Sequence, residues 1–224
     1  MSNNKVCVSI GATNLDELTS KISKTIKYNP DFLEIRIDYL SEINIINLKK
    51  ILNQQIKNSV ITLKSKKEGG LYKGNEKQKV NLIYELITLS PKFIDVELET
   101  LIKNESLISK AKEYNTKILA SWHDFKSTPN HKKLKEIIEK AKIADTIKIV
   151  SLANTIEDNI NMLKLYSEYP DIKLIAFCMG DKGIISRILC NRMGALFSYV
   201  SLPNENLAPG QLSIKELRML EDFV

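Results

Sequence analysis

The sequence predicts a single (β/α)₈ barrel spanning residues 1–224, and three observations lead there. Eight short apolar or alternating runs recur at intervals of about thirty residues. Segments with helical periodicity separate them. Neither a break in composition nor a long linker divides the chain. Alternation of strand and helix requires a parallel sheet with crossover helices, and eight such units in 224 residues fit a closed barrel better than an open doubly wound sheet.

The strand candidates are, in order, VCVSI, FLEIRID, VITLK, FIDVELE, KILASWHDF, TIKIVSL, KLIAFCM and LFSYVSL. Between the first two, Leu15, Leu18, Ile22 and Ile26 fall on one helical face; after the second, Leu48, Ile51, Leu52 and Ile56 do the same. Asn14 stands three residues before Glu17, and Ser213 three before Glu216. Each pair has the spacing of a capping box at a helix start.

Composition narrows the function. At 43% hydrophobic and 27% charged the chain has enough apolar side chain to build a core, which excludes a disordered protein. The net charge of +6 comes mostly from lysines scattered along the whole chain. Only Arg36, Arg187, Arg192 and Arg218 are arginines, and no arginine-rich or aromatic-interleaved stripe points to nucleic acid. Cys7, Cys178 and Cys190 form no CxxC pair and read as free thiols in a reducing, cytoplasmic setting. No run is long enough to span a membrane, so no membrane association is expected. Two histidines without closely spaced cysteines give no metal site, and the eight glycines form no phosphate-cradling motif, so no cofactor is expected.

In a (β/α)₈ barrel the chemistry sits where strands end. Glu34, Arg36 and Asp38 alternate along the second run and point to one side of it, as Asp95, Glu97 and Glu99 do along the fourth. Such inward charges need partners, either one another or a polar ligand. Glu68 precedes Gly69 and Gly70 after the third run, which sets a carboxylate on a turn. His123 closes the fifth run on the catalytic face; His131, after Pro129 at the start of a lysine-rich helix, is expected to be exposed. Lys148 lies between Ile147 and Ile149, where poor solvation of the ammonium would lower its pKa and free an amine to attack a carbonyl.

With these residues goes a family resemblance. EIRID, KSKKEGG, SWHDFKSTP, IKIV, MGDKGIISR and APGQ, in this order over most of the chain, resemble the type I 3-dehydroquinate dehydratases, the Schiff-base-forming enzymes of the shikimate pathway. The resemblance implies that Lys148 forms an imine with the substrate ketone, that His123 is the general acid and base, and that Glu68 orients its imidazole. It further implies that Arg187 holds the carboxylate of 3-dehydroquinate, that Glu34, Arg36 and Gln211 contact ring hydroxyls, and that Met179 packs over the ring. A homodimer is implied as well, and the proline and glycine of NLAPGQLS suit a closing lid. The chain departs from the family at two positions that the resemblance counts as substrate-binding, Lys64, where an arginine is usual, and Tyr199, usually phenylalanine, and at Leu207, usually serine; the lid is one residue longer between Arg187 and Gln211. Two other readings use the same residues: an aldolase barrel whose lysine also forms an imine, and a binding barrel without turnover. Retention of both Lys148 and His123 argues against the second.

Overall fold

The computed structural model describes residues 5–221. Eight parallel strands form its centre: β1 (Val6–Gly11), β2 (Phe32–Arg36), β3 (Ser59–Thr62), β4 (Phe93–Glu97), β5 (Lys117–Asp124), β6 (Thr146–Leu152), β7 (Leu174–Met179) and β8 (Ser198–Val200). Each pairs with its sequence neighbour, and β8 returns to pair with β1, giving the order β7-β6-β5-β4-β3-β2-β1-β8. Where a closed barrel was expected, the ring is nearly closed. At the seam between β7 and β8 no strand ladder forms among the described residues, because β8 has only three residues. One backbone bond spans it there, from the Leu196 N–H to the Leu174 carbonyl at 3.0 Å.

Around the strands run α1 (Leu15–Ile26), α2 (Ile45–Leu52), α3 (Glu76–Ile87), α4 (Leu98–Lys103), α5 (Ser106–Glu113), α6 (His131–Ala141), α7 (Ile156–Glu168), α8 (Ile184–Met193) and α9 (Ile214–Glu221). In α1, Leu18 and Ile22 are buried, while Ile26 is 40% exposed and the smaller Thr25 takes the inward place. Ile56 lies beyond α2, in a separate 3₁₀ turn. Ser213 and Glu216 cap α9 reciprocally. The Asn14 side chain accepts from the Glu17 N–H, but the Glu17 carboxylate reaches Thr13 instead, so that cap is one-sided.

Two expected strands stop early, each because a turn of helix begins at once. β2 ends at Arg36 since Ile37–Tyr39 wind into a 3₁₀ turn, and β4 ends at Glu97 since α4 starts at Leu98. Asp38 and Glu99 therefore leave the inward alternation. Asp38 folds back to grip Arg36 at 2.9 and 2.7 Å, whereas Glu99 stays outside and pairs with Lys67.

The barrel interior has an apolar floor and a charged upper layer. Phe32, Phe93 and Phe197, at the strands' entry ends, pack with centroids 5.7, 5.1 and 6.0 Å apart, and Tyr199 meets Phe197 edge-on at 5.2 Å. This plug keeps water from entering below the charges. Phe197 is fully buried, so Phe197→Ala should destabilise the fold by about 3–5 kcal/mol. Urea unfolding of the variant, read by circular dichroism, checks this as a lowered midpoint at unchanged slope.

Candidate active site

Alternation along each strand decides which side chains form the upper layer. The parallel register sets Ser9 beside Glu34, Arg36 beside Thr62, Thr62 beside Asp95 and Ser121 beside Lys148. All of these face inward. Ile147 and Ile149 flank Lys148 in sequence but point the other way, toward the helices. The amine accordingly sits among charges, not in the apolar pocket its sequence neighbours imply. The Glu34 and Asp95 carboxylates lie 3.7 and 3.5 Å from Lys148 Nζ, and the Tyr199 ring lies beneath it, 3.9 Å from atom to centroid.

The ring of charge continues on both sides. Lys64, just past β3, donates to Asp95 at 2.6 Å and also to Ser121, which itself donates to Asp95. Burial disfavours the Lys64 ammonium, but Asp95, Glu68 and Glu97 outweigh it and hold its pKa above the ordinary value. Burial likewise opposes the Asp95 carboxylate, and the cations of Lys64 and Lys148 overcome it, holding Asp95 well below the usual carboxylate range. Glu34 accepts from Ser9 at 2.6 Å and from Thr62 at 2.9 Å. Lys79, on α3, reaches Glu97 at 2.7 Å, and Glu97 also accepts from the Ser65 N–H, which ties the loop after β3 to β4.

That loop presents Glu68. It forms a 3₁₀ turn, Lys66–Glu68, ended by Gly69 in the left-handed region at φ 77°. A side chain at Gly69 would also drive into Phe125, which stacks on His123 at 5.8 Å. The glycine thus lets the turn settle against the histidine. His123 Nδ1 and Glu68 Oε2 are 2.9 Å apart. Burial, reinforced by the cations of Lys64 and Lys148, pushes the His123 pKa well below 6.5, and burial raises that of Glu68. A neutral imidazole that donates from Nδ1 to Glu68 leaves Nε2 with a free lone pair, the state of a base. His131 stands apart on α6, partly exposed and paired with Glu168 at 2.8 Å.

These groups share one cavity of about 160 Å³. Glu34, Arg36, Lys64, Glu68, His123, Lys148, Met179, Arg187, Tyr199 and Gln211 all line it, so every site residue expected from the sequence converges there. Its volume is well under the ~300–1,000 Å³ of pockets for drug-sized ligands. Four cations (Arg36, Lys64, Lys148, Arg187) face two carboxylates (Glu34, Glu68), which favours a small anion. Arg187, from α8, is 3% exposed and lies over the Phe177 ring at 4.4 Å; its Nε has no hydrogen-bond partner among the described residues. Burial lowers its pKa to about 10. Leu207, Ala208 and Pro209 line the cavity from the lid, and the Gly180 N–H donates to the Pro209 carbonyl at 3.3 Å. Gln211 braces the lid, accepting from the Leu207 N–H at 2.8 Å and facing Ser9 at 3.4 Å.

Sequence reasoning missed the supporting hydroxyls of Ser9, Thr62 and Ser121 and the two aromatic platforms, Phe125 and Phe177. Their signal was available: Ser9 and Thr62 precede Gly11 and Lys64 by two, the inward spacing of a strand.

A buried amine, a buried imidazole and a buried guanidinium thus open on one cavity at the exit end of a parallel barrel, the place where enzymes of this fold carry their chemistry. Comparison with known proteins narrows the class. The chain matches the type I 3-dehydroquinase family over residues 6–223. It is 35% identical to the 3-dehydroquinate dehydratase of Methanocaldococcus jannaschii over 216 residues, covering 95% of this chain and 96% of the relative. Among solved structures, the 3-dehydroquinate dehydratase of Geobacillus kaustophilus shares the fold with a TM-score of 0.89 at 22% identity, covering 99% of this chain and 91% of that one. The type I enzyme of Clostridium difficile, solved with covalent modified comenic acid, has a TM-score of 0.88 at 23% identity, covering 100% and 92%. The chain belongs to the type I 3-dehydroquinase family, hydro-lyases whose reaction, the dehydration of 3-dehydroquinate, is a step of the shikimate pathway.

The depressed His123 pKa makes stability depend on pH. Unfolded, the imidazole takes up a proton near about 6.5; folded, it does so only well below. In that window the unfolded state binds the extra proton, so the His123 contribution to stability falls as pH drops below about 6.5. Denaturant midpoints of the protein and of His123→Gln between pH 7 and 5 should show a shallower decline in the variant.

Proposed function

We propose that the chain dehydrates 3-dehydroquinate to 3-dehydroshikimate through an imine on Lys148. The observation that carries this reading is the shared cavity: a buried amine and a neutral imidazole, on adjacent strands, open on one space beside a guanidinium with no ionic partner among the described residues. The covalently modified ligand of the Clostridium difficile relative fits the same chemistry.

Lys148 Nζ attacks the C3 ketone, the carbonyl π pair passes to oxygen, and that oxygen leaves as water to give a protonated imine. His123 Nε2 then removes a C2 proton. The C–H electron pair flows into the imine as an enamine. As it returns, the C1–O bond breaks, His123 gives its proton to the departing hydroxyl, and the C1–C2 double bond forms. Hydrolysis of the imine frees the product and the lysine. Glu68 holds the imidazole ring and its tautomer throughout.

Arg187 would take the substrate carboxylate, an anion supplied to a buried, unpaired cation. Glu34, Arg36 and Gln211 would meet ring hydroxyls and Met179 would cover the ring, with Lys64 fixed on Asp95 at the edge of the site. A homodimer and a cytoplasmic location belong to the same proposal. Three buried free cysteines fit a reducing compartment, and among the described residues no helix is long and apolar enough to cross a membrane.

Borohydride treatment followed by peptide mass spectrometry tests the reading. A reduced adduct on Lys148 that appears only with 3-dehydroquinate is expected, and a folded protein that gives none refutes the imine. Lys148→Ala should lose the adduct and nearly all turnover. His123→Ala should keep slow adduct formation while kcat falls by about 10²–10⁴-fold. The acid limb of kcat/KM should lie below pH 6.5, because the His123 pKa is depressed and only the neutral ring is a base. Leu207→Ser, which returns a hydroxyl to the lid wall, should lower KM.

A further inference from the structure

Tyr199 combines features that no part of the scheme above uses. It points inward from β8, is 4% exposed, and its hydroxyl has no hydrogen-bond partner among the described residues. A buried hydroxyl without a partner is unfavourable, and a phenylalanine would fill the same space without it. The ring is well used: it packs on Phe197 and lies under Lys148 Nζ at 3.9 Å from its centroid. The hydroxyl alone lacks a purpose within the chain.

The neighbours explain what it can do. Glu34 already accepts from Ser9 and Thr62, and Lys64 and Ser121 are committed to Asp95. Around Lys148, Tyr199 therefore keeps an uncommitted neutral O–H. Burial, together with the negative charge of Glu34, holds the phenol protonated far above neutral pH, with Arg36 opposing weakly. It can donate and does not ionise. Tyr199 and Lys148 line the same cavity, so a carbonyl carbon that bonds to Lys148 Nζ brings its oxygen into the space this side chain borders.

We propose that the Tyr199 hydroxyl donates a hydrogen bond to the oxygen of the carbonyl carbon attacked by Lys148. As the C–N bond forms, the carbonyl π pair moves onto that oxygen, and the phenol O–H stabilises the charge developing there. The O–H stays on Tyr199; the proton that completes the carbinolamine hydroxyl comes from the amine by way of His123, and the hydroxyl later departs as water. The interaction exists only while that oxygen remains, so it accelerates imine formation and leaves the later C–H and C1–O steps untouched. The assignment rests on the imine reading above.

The test compares the protein with Tyr199→Phe. Rapid mixing with 3-dehydroquinate, borohydride quench and intact mass give the rate of adduct formation. Binding of quinate, the 3-hydroxy analogue of 3-dehydroquinate, which has no ketone, gives the affinity of the rest of the site. The expected result is adduct formation slowed about tenfold or more, with quinate affinity within about twofold. In the protein alone the variant should melt no lower than the parent, because it loses an unpartnered hydroxyl. Equal rates of adduct formation in the two proteins overturn the assignment while leaving the imine intact. Equal losses in adduct rate and quinate affinity also overturn it, since they mark a general binding contact. Absence of adduct in the parent protein overturns the imine reading and this assignment together.

Discussion

A parallel barrel buries both faces of every strand, and this chain sets charge on the inner face. Everything at the site depends on how that charge is balanced. Two isolated ions at this depth would cost several kcal/mol each in lost hydration. The chain avoids this by alternating signs around the ring: Lys64, Asp95, Lys148 and Glu34 succeed one another, with Lys79 and Glu97 as an outer branch. Small hydroxyls from Ser9 and Thr62 donate to Glu34 and that of Ser121 to Asp95 Oδ1, while Asp95 Oδ2 faces the Lys148 ammonium at 3.5 Å without a hydrogen bond among the described residues. Below lies the aromatic floor, so the charges are solvated from the mouth alone. The same pairing that makes the layer tolerable fixes the amine's position to within an ion-pair distance.

The distribution of unpaired groups then carries the function. Arg36 is satisfied by Asp38, Lys64 by Asp95 and Lys79 by Glu97, yet Arg187 has no carboxylate among the described residues. It rests on Phe177, a face that offers only a partial negative charge. A cation that the fold declines to neutralise, at the wall of a cavity with an excess of positive charge, sets the sign of the ligand. The two lysine ammoniums set a second property at a distance. By disfavouring another positive charge nearby they help keep His123 neutral, so the amine's surroundings prepare the base as well as the amine.

Much of this was legible in the sequence, and the particular failures are instructive. Strand period placed Glu34, Arg36 and Asp95 inside, because a period of two survives any error in strand ends, and the end of the fifth run placed His123 at the catalytic face. It failed at Asp38 and Glu99, where a turn of helix starts directly after the strand and the alternation has no further meaning. Local context also misled at Lys148. Its isoleucine neighbours describe the outer face of β6, while its real environment comes from β2, β4 and β8, up to 114 residues away in Glu34. Arg187 could be suspected from its rarity as an arginine, but its lack of a partner is a property of the assembled wall.

The lid shows how distant parts of the chain meet in one chain of contacts. Gln211 holds the Leu207 N–H with its carbonyl and faces Ser9 with its amide; Ser9 donates to Glu34, and Glu34 is a counter-ion of Lys148. The 3.4 Å contact between Gln211 and Ser9 is the longest of the three hydrogen bonds, against 2.6 Å for Ser9–Glu34 and 2.8 Å for Leu207–Gln211, while the ion pair of Lys148 with Glu34 spans 3.7 Å. A lid displacement breaks that weakest contact first and leaves the short Ser9–Glu34 bond in place. The charged layer is therefore preorganised by the barrel, and the lid adds one polar contact to it. Leu207, Ala208 and Pro209 give the cavity an apolar wall, and every interaction among the charges beside it strengthens as the local dielectric falls.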